Sequence, residues 1–298
     1  MRAGTTPLEL IRVDPGGAVD AHRLGIGGQM LNRGTLDVHE LAIDEDGRLE
    51  LEAGVLRVHH VGAHGDMDGL ITGHGTIDAS GIVNNTGTLA PAGGTMLLVS
   101  TAGTGVWNLG GNDGTGNVAV ISGDLTVLGE HLTFDGSMSI GPDRTVAIDS
   151  AAWRLGTDGT LLFLGGVSDP ATFAGHAGAG HARIEGEVAV STIGIFDIPV
   201  TFESAARVEL SSAHARLSLA QSTTYRGGSY TGDGIIEQLG DATVEQDTLV
   251  DVGTADVAPF VQLLVSGGST SVPEPGVMTL LGLASLLLLR RRVSRHWR

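Results

Sequence analysis

Short phrases of one shape recur along this chain: GTLDV at Gly34, GRLEL at Gly47, GVLRV at Gly54, GTIDA at Gly75, GTLAP at Gly87, GDLTV at Gly123 and GSMSI at Gly136. Each sets a glycine, a small or polar residue, an apolar residue, a variable residue and usually a second apolar one. Three later variants, ARIEG at Ala182, ARVEL at Ala206 and ARLSL at Ala215, drop the glycine. Period-two alternation bounded by Gly or Asp-Gly is the signature of short strands separated by turns. No helical periodicity appears before the last few dozen residues.

The spacing of the phrases narrows the fold. Successive glycines of the first seven stand 13, 7, 21, 12, 36 and 13 residues apart. No fixed period exists, which argues against calcium-binding nonapeptide arrays and against propellers. It suits an all-β, right-handed parallel β-solenoid whose loops vary in length while its strands stack. Leu36, Val38, Leu49, Leu51, Ile77 and Leu89 are then expected inside, in ladders along the axis. Asp37, Glu50 and Asp78 are expected outside. A β-sandwich is the competing architecture, because short strands at roughly 8–12-residue spacing predict it too.

Composition agrees with thin stacked layers. Hydrophobic residues make up 41% of 298 residues, aromatics only 4%, and there are 47 glycines. The core is expected from Val, Ile, Leu and Ala, with glycine at the turns. Cysteine is absent, which removes disulfides, thiolate metal sites and thiol nucleophiles. All 17 basic residues are arginines, against 34 acids. Before Val272 the balance is twelve arginines to 33 acids, a formal −21. Such a body repels nucleic acid and anionic membranes, so no nucleic-acid partner is expected.

Potential chemistry is scattered. His39, His59, His60, His64 and His74 crowd one region, yet a metal needs ligands that converge, and these read as exposed loop histidines. Asp44-Glu45-Asp46-Gly47 opens like a calcium loop but lacks the downstream glutamate, so an Asp-Gly turn explains it. Asp66-Met67-Asp68, beside His64 and with Arg57 within possible reach, is the best carboxylate pair for a polysaccharide lyase or hydrolase. No motif ties these residues together. The glycine-dense Asn108–Asn117 stretch has no phosphate-loop lysine. Asn84-Asn85-Thr86 is formally a glycosylation sequon inside a corner phrase. No catalytic residue, cofactor or metal is therefore assigned, and the body reads as non-enzymatic. A carbohydrate-active β-helix enzyme is the alternative.

The C-terminus is more specific. Val272-Pro273-Glu274-Pro275 precedes an apolar run, Gly276–Leu289, and Arg290-Arg291-Arg292 close it. Fourteen helical residues cover roughly 21 Å of a roughly 30 Å hydrocarbon layer. The run spans only if the bilayer thins or the arginines snorkel. Positive flanks stay cytoplasmic, which leaves the acidic body outside. The two prolines hold Glu274 extended where an enzyme can grip it.

These residues, in this order and position, resemble the PEP-CTERM sorting signal of Gram-negative bacteria, over Val272–Arg298. The resemblance implies recognition by an exosortase, a membrane-embedded transpeptidase, removal of the tail, and delivery of the body beyond the inner membrane. Such proteins are often associated with exopolysaccharide or biofilm matrix. A permanently membrane-anchored adhesin with an uncleaved tail is the rival. A second, shorter resemblance lies at Asn85-Thr86-Gly87-Thr88-Leu89-Ala90-Pro91-Ala92-Gly93-Gly94, which is similar to rungs of autotransporter-like surface β-helices. Its Asn and Gly are expected to make corners, with Asn side chains stacking in ladders.

The expected organisation is a solenoid body over 1–265, with last rungs or a cap from about 180. A flexible linker follows at 266–271, and then a sorting tail at 272–298 with one helix at 276–289 and an Arg-rich end at 290–298. The opening MRAGTTPLELIRVDPGGAVD shows no basic segment and apolar run of an export signal. It starts as if inside a repeat, and a coding start placed too late is the expectation.

Overall fold

A computed structural model describes residues 10–60, 68–101, 106–110, 114–131, 133–149, 153–245, 249–252 and 270–271. These form an all-β solenoid of about ten rungs. The sole helical segment among them is a single 3-10 turn, His176–Gly178. Three parallel sheets run along the axis. The first stacks Ile11–Val13, Gln29–Asn32, Asn117–Val120, Ser137–Ile140, Thr160–Phe163, Glu187–Val190, Arg207–Leu210, Ser229–Gly232 and Leu249–Val252. The second stacks Ala18–Ile26, Thr35–Ile43, Ser122–Val127, Thr145–Ile148, Ala171–Gly175, Ile193–Asp197, Arg216–Leu219 and Ile235–Gln238. Three long strands, Arg48–His60, Leu70–Ala79 and Thr88–Val99, bend and serve both sheets. The third side is made of short strands such as Trp153–Leu155, Ala182–Ile184 and Val200–Phe202.

Parallel pairing excludes the β-sandwich. Alternation along each strand sends every second residue inward, and all six residues expected inside are buried: Leu36, Val38, Leu49 and Leu51 fully, Ile77 and Leu89 nearly so. Asp37, Glu50 and Asp78 are half-exposed on the outer faces. Each buried Leu, Ile or Val contributes about 1.5–3 kcal/mol relative to leaving it exposed.

The missing period also finds its reason. The phrases belong to different sides. GTLDV, GVLRV, GTIDA and GDLTV lie on the second sheet, where Leu36 pairs with Leu56 and Leu56 with Ile77. GRLEL, GTLAP and GSMSI lie on the first. The three later variants divide among all three sides. Sorted this way, one rung is nineteen residues at Ile11 to Met30 and 27 at Leu161 to Val188.

Gly47, Gly69, Gly87, Gly116, Gly136, Gly159 and Gly186 form a column at the entry to the first sheet. The carbonyl of each accepts the amide that opens the next strand, as in Thr88 N to Gly69 O and Thr160 N to Gly136 O, both 2.9 Å. A Cβ on Gly69 would lie 2.3 Å from Gly47 O, and one on Gly136 would lie 2.1 Å from Gly116 O. None of the seven has positive φ. Space, rather than the backbone freedom expected from sequence, requires glycine here. Corner asparagines also differ from expectation. Buried Asn85 donates to the carbonyls of Leu109 (3.0 Å) and Asn117 (3.2 Å), so it satisfies the main chain of the corner. Asn32 does the same at another corner, donating to Val55 O while accepting from Gly34 N.

The described residues of 182–245 and 249–252 continue the same parallel registers. Of the expected linker, Thr270-Ser271 pair antiparallel with Val244 and Thr243. The tail, with Val272, Pro273, Glu274, Pro275, the helix at 276–289 and Arg290, Arg291 and Arg292, lies outside the described residues. Among the described residues no helix is long and apolar enough to cross a membrane.

Candidate functional surfaces

Three outward surfaces stand out, each made by side chains that the rung register brings together. The first is a column of imidazoles. The second sheet sets Asp20 beside Asp37 and Ala21 beside Val38, then Val38 beside Val58. The outward residues that follow are His22, His39 and His59, one per rung. The rings of His22 and His39 stack with centroids 4.9 Å apart and planes 13° from parallel. His39 and His59 stack at 6.4 Å and 23°. His59 Nε2 lies 2.6 Å from Asp37 Oδ1, and Arg57 lies 3.8 Å from the other oxygen of that carboxylate. Ser80 Oγ, on the next rung, lies 3.4 Å from His59 Nδ1.

The second surface is an uncharged strip on the first sheet. Its outward column runs Leu70, Thr88, Asn117, Ser137, Thr160. The neighbouring column includes Ala119, Ser139, Leu162 and Ala189. Five rungs at about 4.8 Å give a strip of roughly 20 Å with hydroxyl, amide and methyl groups and no charge. Charges resume at Arg48 and Glu50 on one side and at Glu187, Arg207 and Glu209 on the other.

The third surface is an ion-pair ladder on the third side. Arg154 pairs with Glu185, Glu185 with Arg183 (3.1 Å), Arg183 with Glu203 (2.8 Å), Glu203 with Arg226 (3.3 Å) and Arg226 with Glu245 (2.7 Å). The chain of contacts crosses five rungs. Glu185 and Glu203 are mostly covered, while the arginines stay half-exposed. His181 sits beside it, 3.1 Å from Thr201 Oγ1. Burial, then the charges of Arg226 and Arg183, hold its imidazole below the usual range.

The residues singled out in the sequence distribute as follows. His39 and His59 lie on strands and face outward, which corrects the loop reading. The side chains of His60 and His64 lie outside the described residues, and half-buried His74 packs against the bend at Gly93-Gly94. Asp44–Gly47 is a turn closed by Gly47 N to Asp44 O at 2.7 Å. Asp66 and Met67 fall outside the described residues. Asp68 accepts a hydrogen bond from Thr86 Oγ1, and Arg57 pairs with Asp37 on the second sheet, so these residues are placed on different sides. The Asn108–Asn117 stretch closes a corner through Gly116 N to Gly110 O. Among the described residues no group of three His, Asp or Glu converges on a point that could hold a metal ion. His22 was missed in the sequence. Its signal was there, in the repeated phrases Asp20-Ala21-His22, Asp37-Val38-His39 and Arg57-Val58-His59.

No protein-family model, curated protein or solved structure matches this chain.

Proposed function

We propose that the chain is an exported, non-catalytic surface or extracellular-matrix protein. Its solenoid is the displayed part, and Val272–Arg298 is a sorting signal for an exosortase-like membrane transpeptidase. The precursor sits in the inner membrane through the tail, and the processed body reaches the cell surface or matrix. The observation that supports this most is how the solenoid uses its charged groups. Glu185, Glu203 and Glu245 are held by arginines of neighbouring rungs, along the axis. Such an arrangement stiffens a rod. A glycosidase or lyase instead leaves the space between its two carboxylates open to a substrate, whereas here the Arg183 guanidinium fills the space between Glu185 and Glu203. A neutral polysaccharide is the partner suited to the uncharged strip, because chain hydroxyls meet Thr88, Asn117, Ser137 and Thr160 without desolvating a charge.

The test is the C-terminal mass of the protein isolated from its own organism. A chain ending near Pro273–Gly276 supports processing at the signal. A chain still ending at Arg298, in cells with an active exosortase, overturns it and leaves the membrane-anchored adhesin. Turnover of a polysaccharide by the purified body would replace the non-catalytic reading with the carbohydrate-active one.

A further inference from the structure

We infer that Arg144, at the margin of the uncharged strip, binds a carboxylate carried by the glycan that lies on that strip. The glycan is then neutral along the strip and bears acidic sugars of the uronate class at its edge. This rests on the reading of the strip as a glycan surface and adds the acidic group to it. Eleven arginines lie among the described residues, and ten of them pair with a carboxylate. Arg144 pairs with none, although Asp124, Asp143 and Asp169 stand in the same corner on this and the adjacent rungs. Its Nε is covered and has no hydrogen-bond partner among the described residues. A covered donor left unpaired is costly, and a planar carboxylate that takes the guanidinium fork removes that cost. One positive charge in a body of formal −21 suits a singly charged carboxylate better than a doubly charged phosphate.

The fold fixes where this guanidinium stands. The strip strand Ser137–Ile140 leads through the turn Gly141-Pro142-Asp143 into Arg144, which precedes the second-sheet strand Thr145–Ile148. Arg144 N donates to Gly141 O at 3.3 Å, Arg144 O accepts from Thr172 N at 2.9 Å, and Asp143 is held at φ 55°. The register sets small residues, Gly123 and Ala171, on the rungs either side of Arg144, so its stem has room in the corner. Ile121, 48% exposed, follows the strip strand one rung away, and a Cβ on Gly141 would lie 3.1 Å from its Cα. On the other side Asp143 N donates to Asp169 O at 3.2 Å, which ties in the loop that carries exposed Val167. A sugar ring seated here meets Ser139 with its hydroxyls, Ile121 with its C–H face and Arg144 with its carboxylate. Of the nearby acids, Asp124 already accepts from Thr145 N at 2.9 Å. At physiological salt, charges more than about 8 Å away are largely screened.

The experiment is affinity electrophoresis of the full chain, in mild detergent, through gels that contain a glycan. One gel holds hyaluronan, a linear polymer that alternates a neutral sugar with a glucuronate. The other holds the same polymer with its carboxyls reduced to hydroxymethyl groups. Hyaluronan should retard the chain more than the reduced polymer does. Arg144→Gln should weaken hyaluronan binding by about three- to tenfold and leave the reduced polymer unchanged. Arg144→Lys should restore only part of the loss, because an ammonium does not grip both oxygens. Thr160→Glu, a charge set within the strip, should weaken both polymers. An unshifted thermal midpoint confirms that Arg144→Gln folds, as expected of a side chain with no ion pair of its own. Equal binding of the two polymers, or hyaluronan binding that Arg144→Gln leaves intact, overturns the inference, while the strip reading stands as long as Thr160→Glu weakens binding. Absence of retardation by either polymer overturns both.

Discussion

From Ile11 to Val99 the buried apolar residues are Leu, Ile, Val, Met and Ala, whereas from Trp107 to Tyr230 the interior takes in nine aromatic rings. The backbone differs in step. Early strands are long, nine residues in Ala18–Ile26 and thirteen in Arg48–His60, and they carry the chain around a corner without a break. Late strands are short, three residues in Trp153–Leu155 and four in Thr160–Phe163. The early sides are therefore joined by continuous main chain. The late sides are joined by rings that cross the interior: Trp153 of the third side packs on Phe173 of the second at 4.8 Å, and Phe196 of the second on Phe202 of the third at 6.2 Å. The low aromatic content suggested a ring-free core, yet every aromatic among the described residues is buried in this half. A few rings suffice because each reaches several neighbours and contributes about 0.5–1.5 kcal/mol per ring pair beyond its area.

That contrast can be broken in graded ways. The largest loss belongs to the feature both halves share. Gly69→Val in the early half and Gly136→Val in the late half each force the chain against a backbone carbonyl that is also a ladder acceptor. Each should cost about 4–5 kcal/mol and leave most of the body unfolded in a urea titration. Equal, mild effects would mean that the rungs separate easily at this corner.

Core truncation should then tell the halves apart. Phe196→Ala removes a ring touching Phe163, Phe173 and Phe202, at a cost of about 4 kcal/mol. Leu36→Ala should cost about 3 kcal/mol. Because each rung contacts mainly its neighbours, hydrogen exchange should show the damage locally, in the late rungs for Phe196→Ala and the early rungs for Leu36→Ala. Uniform loss of protection would show a solenoid that unfolds as one unit.

Alkali should act on the late half first. Tyr225 and Tyr230 are buried, and burial pushes both phenols well above their ordinary value of 10. The folded state keeps these protons after the unfolded chain has lost them. Stability is therefore full below pH 10 and falls as pH rises beyond it. Tyr225→Phe and Tyr230→Phe should flatten that fall in a pH series of urea midpoints.

The outer ion pairs should differ more modestly. Glu203→Gln loosens contacts to both Arg183 and Arg226 at a mostly covered carboxylate, and about 1 kcal/mol of salt-sensitive stability should go with it. Arg23→Ala, from a 3.9 Å pair on the open surface of the early half, should stay within about 0.5 kcal/mol. The smallest effect is at acid pH. The His181 imidazole lies below its ordinary 6.5, so the unfolded chain takes up its proton first and stability drops as pH falls below 6.5. His181→Ala should remove that part of the acid sensitivity.

Strand content was legible in the sequence because alternation is a local signal. Leu36-Asp37-Val38 shows which side faces inward without reference to any other rung. The glycine of each phrase was legible too, but its reason was not, since the carbonyl that Gly136 must clear belongs to Gly116 on the rung below. The histidines were visible as a crowd, and the repeated Asp-x-His phrase marked two of the three that stack. Arg183, Glu203 and Arg226 gave no sign of a ladder, because nothing in their immediate neighbours says that they share a side.

What the sequence determined by itself was therefore the alternation and the turn positions, both of which depend on residues within a few positions of one another. Only the tertiary structure decided which phrase stacks on which, and so which side chains form the imidazole column, the uncharged strip and the ion-pair ladder. The physical reason is the loop. A rung closes after nineteen residues in one place and 27 in another. Register is set by where the ladder hydrogen bonds and the buried ladders match, and no count along the chain supplies it.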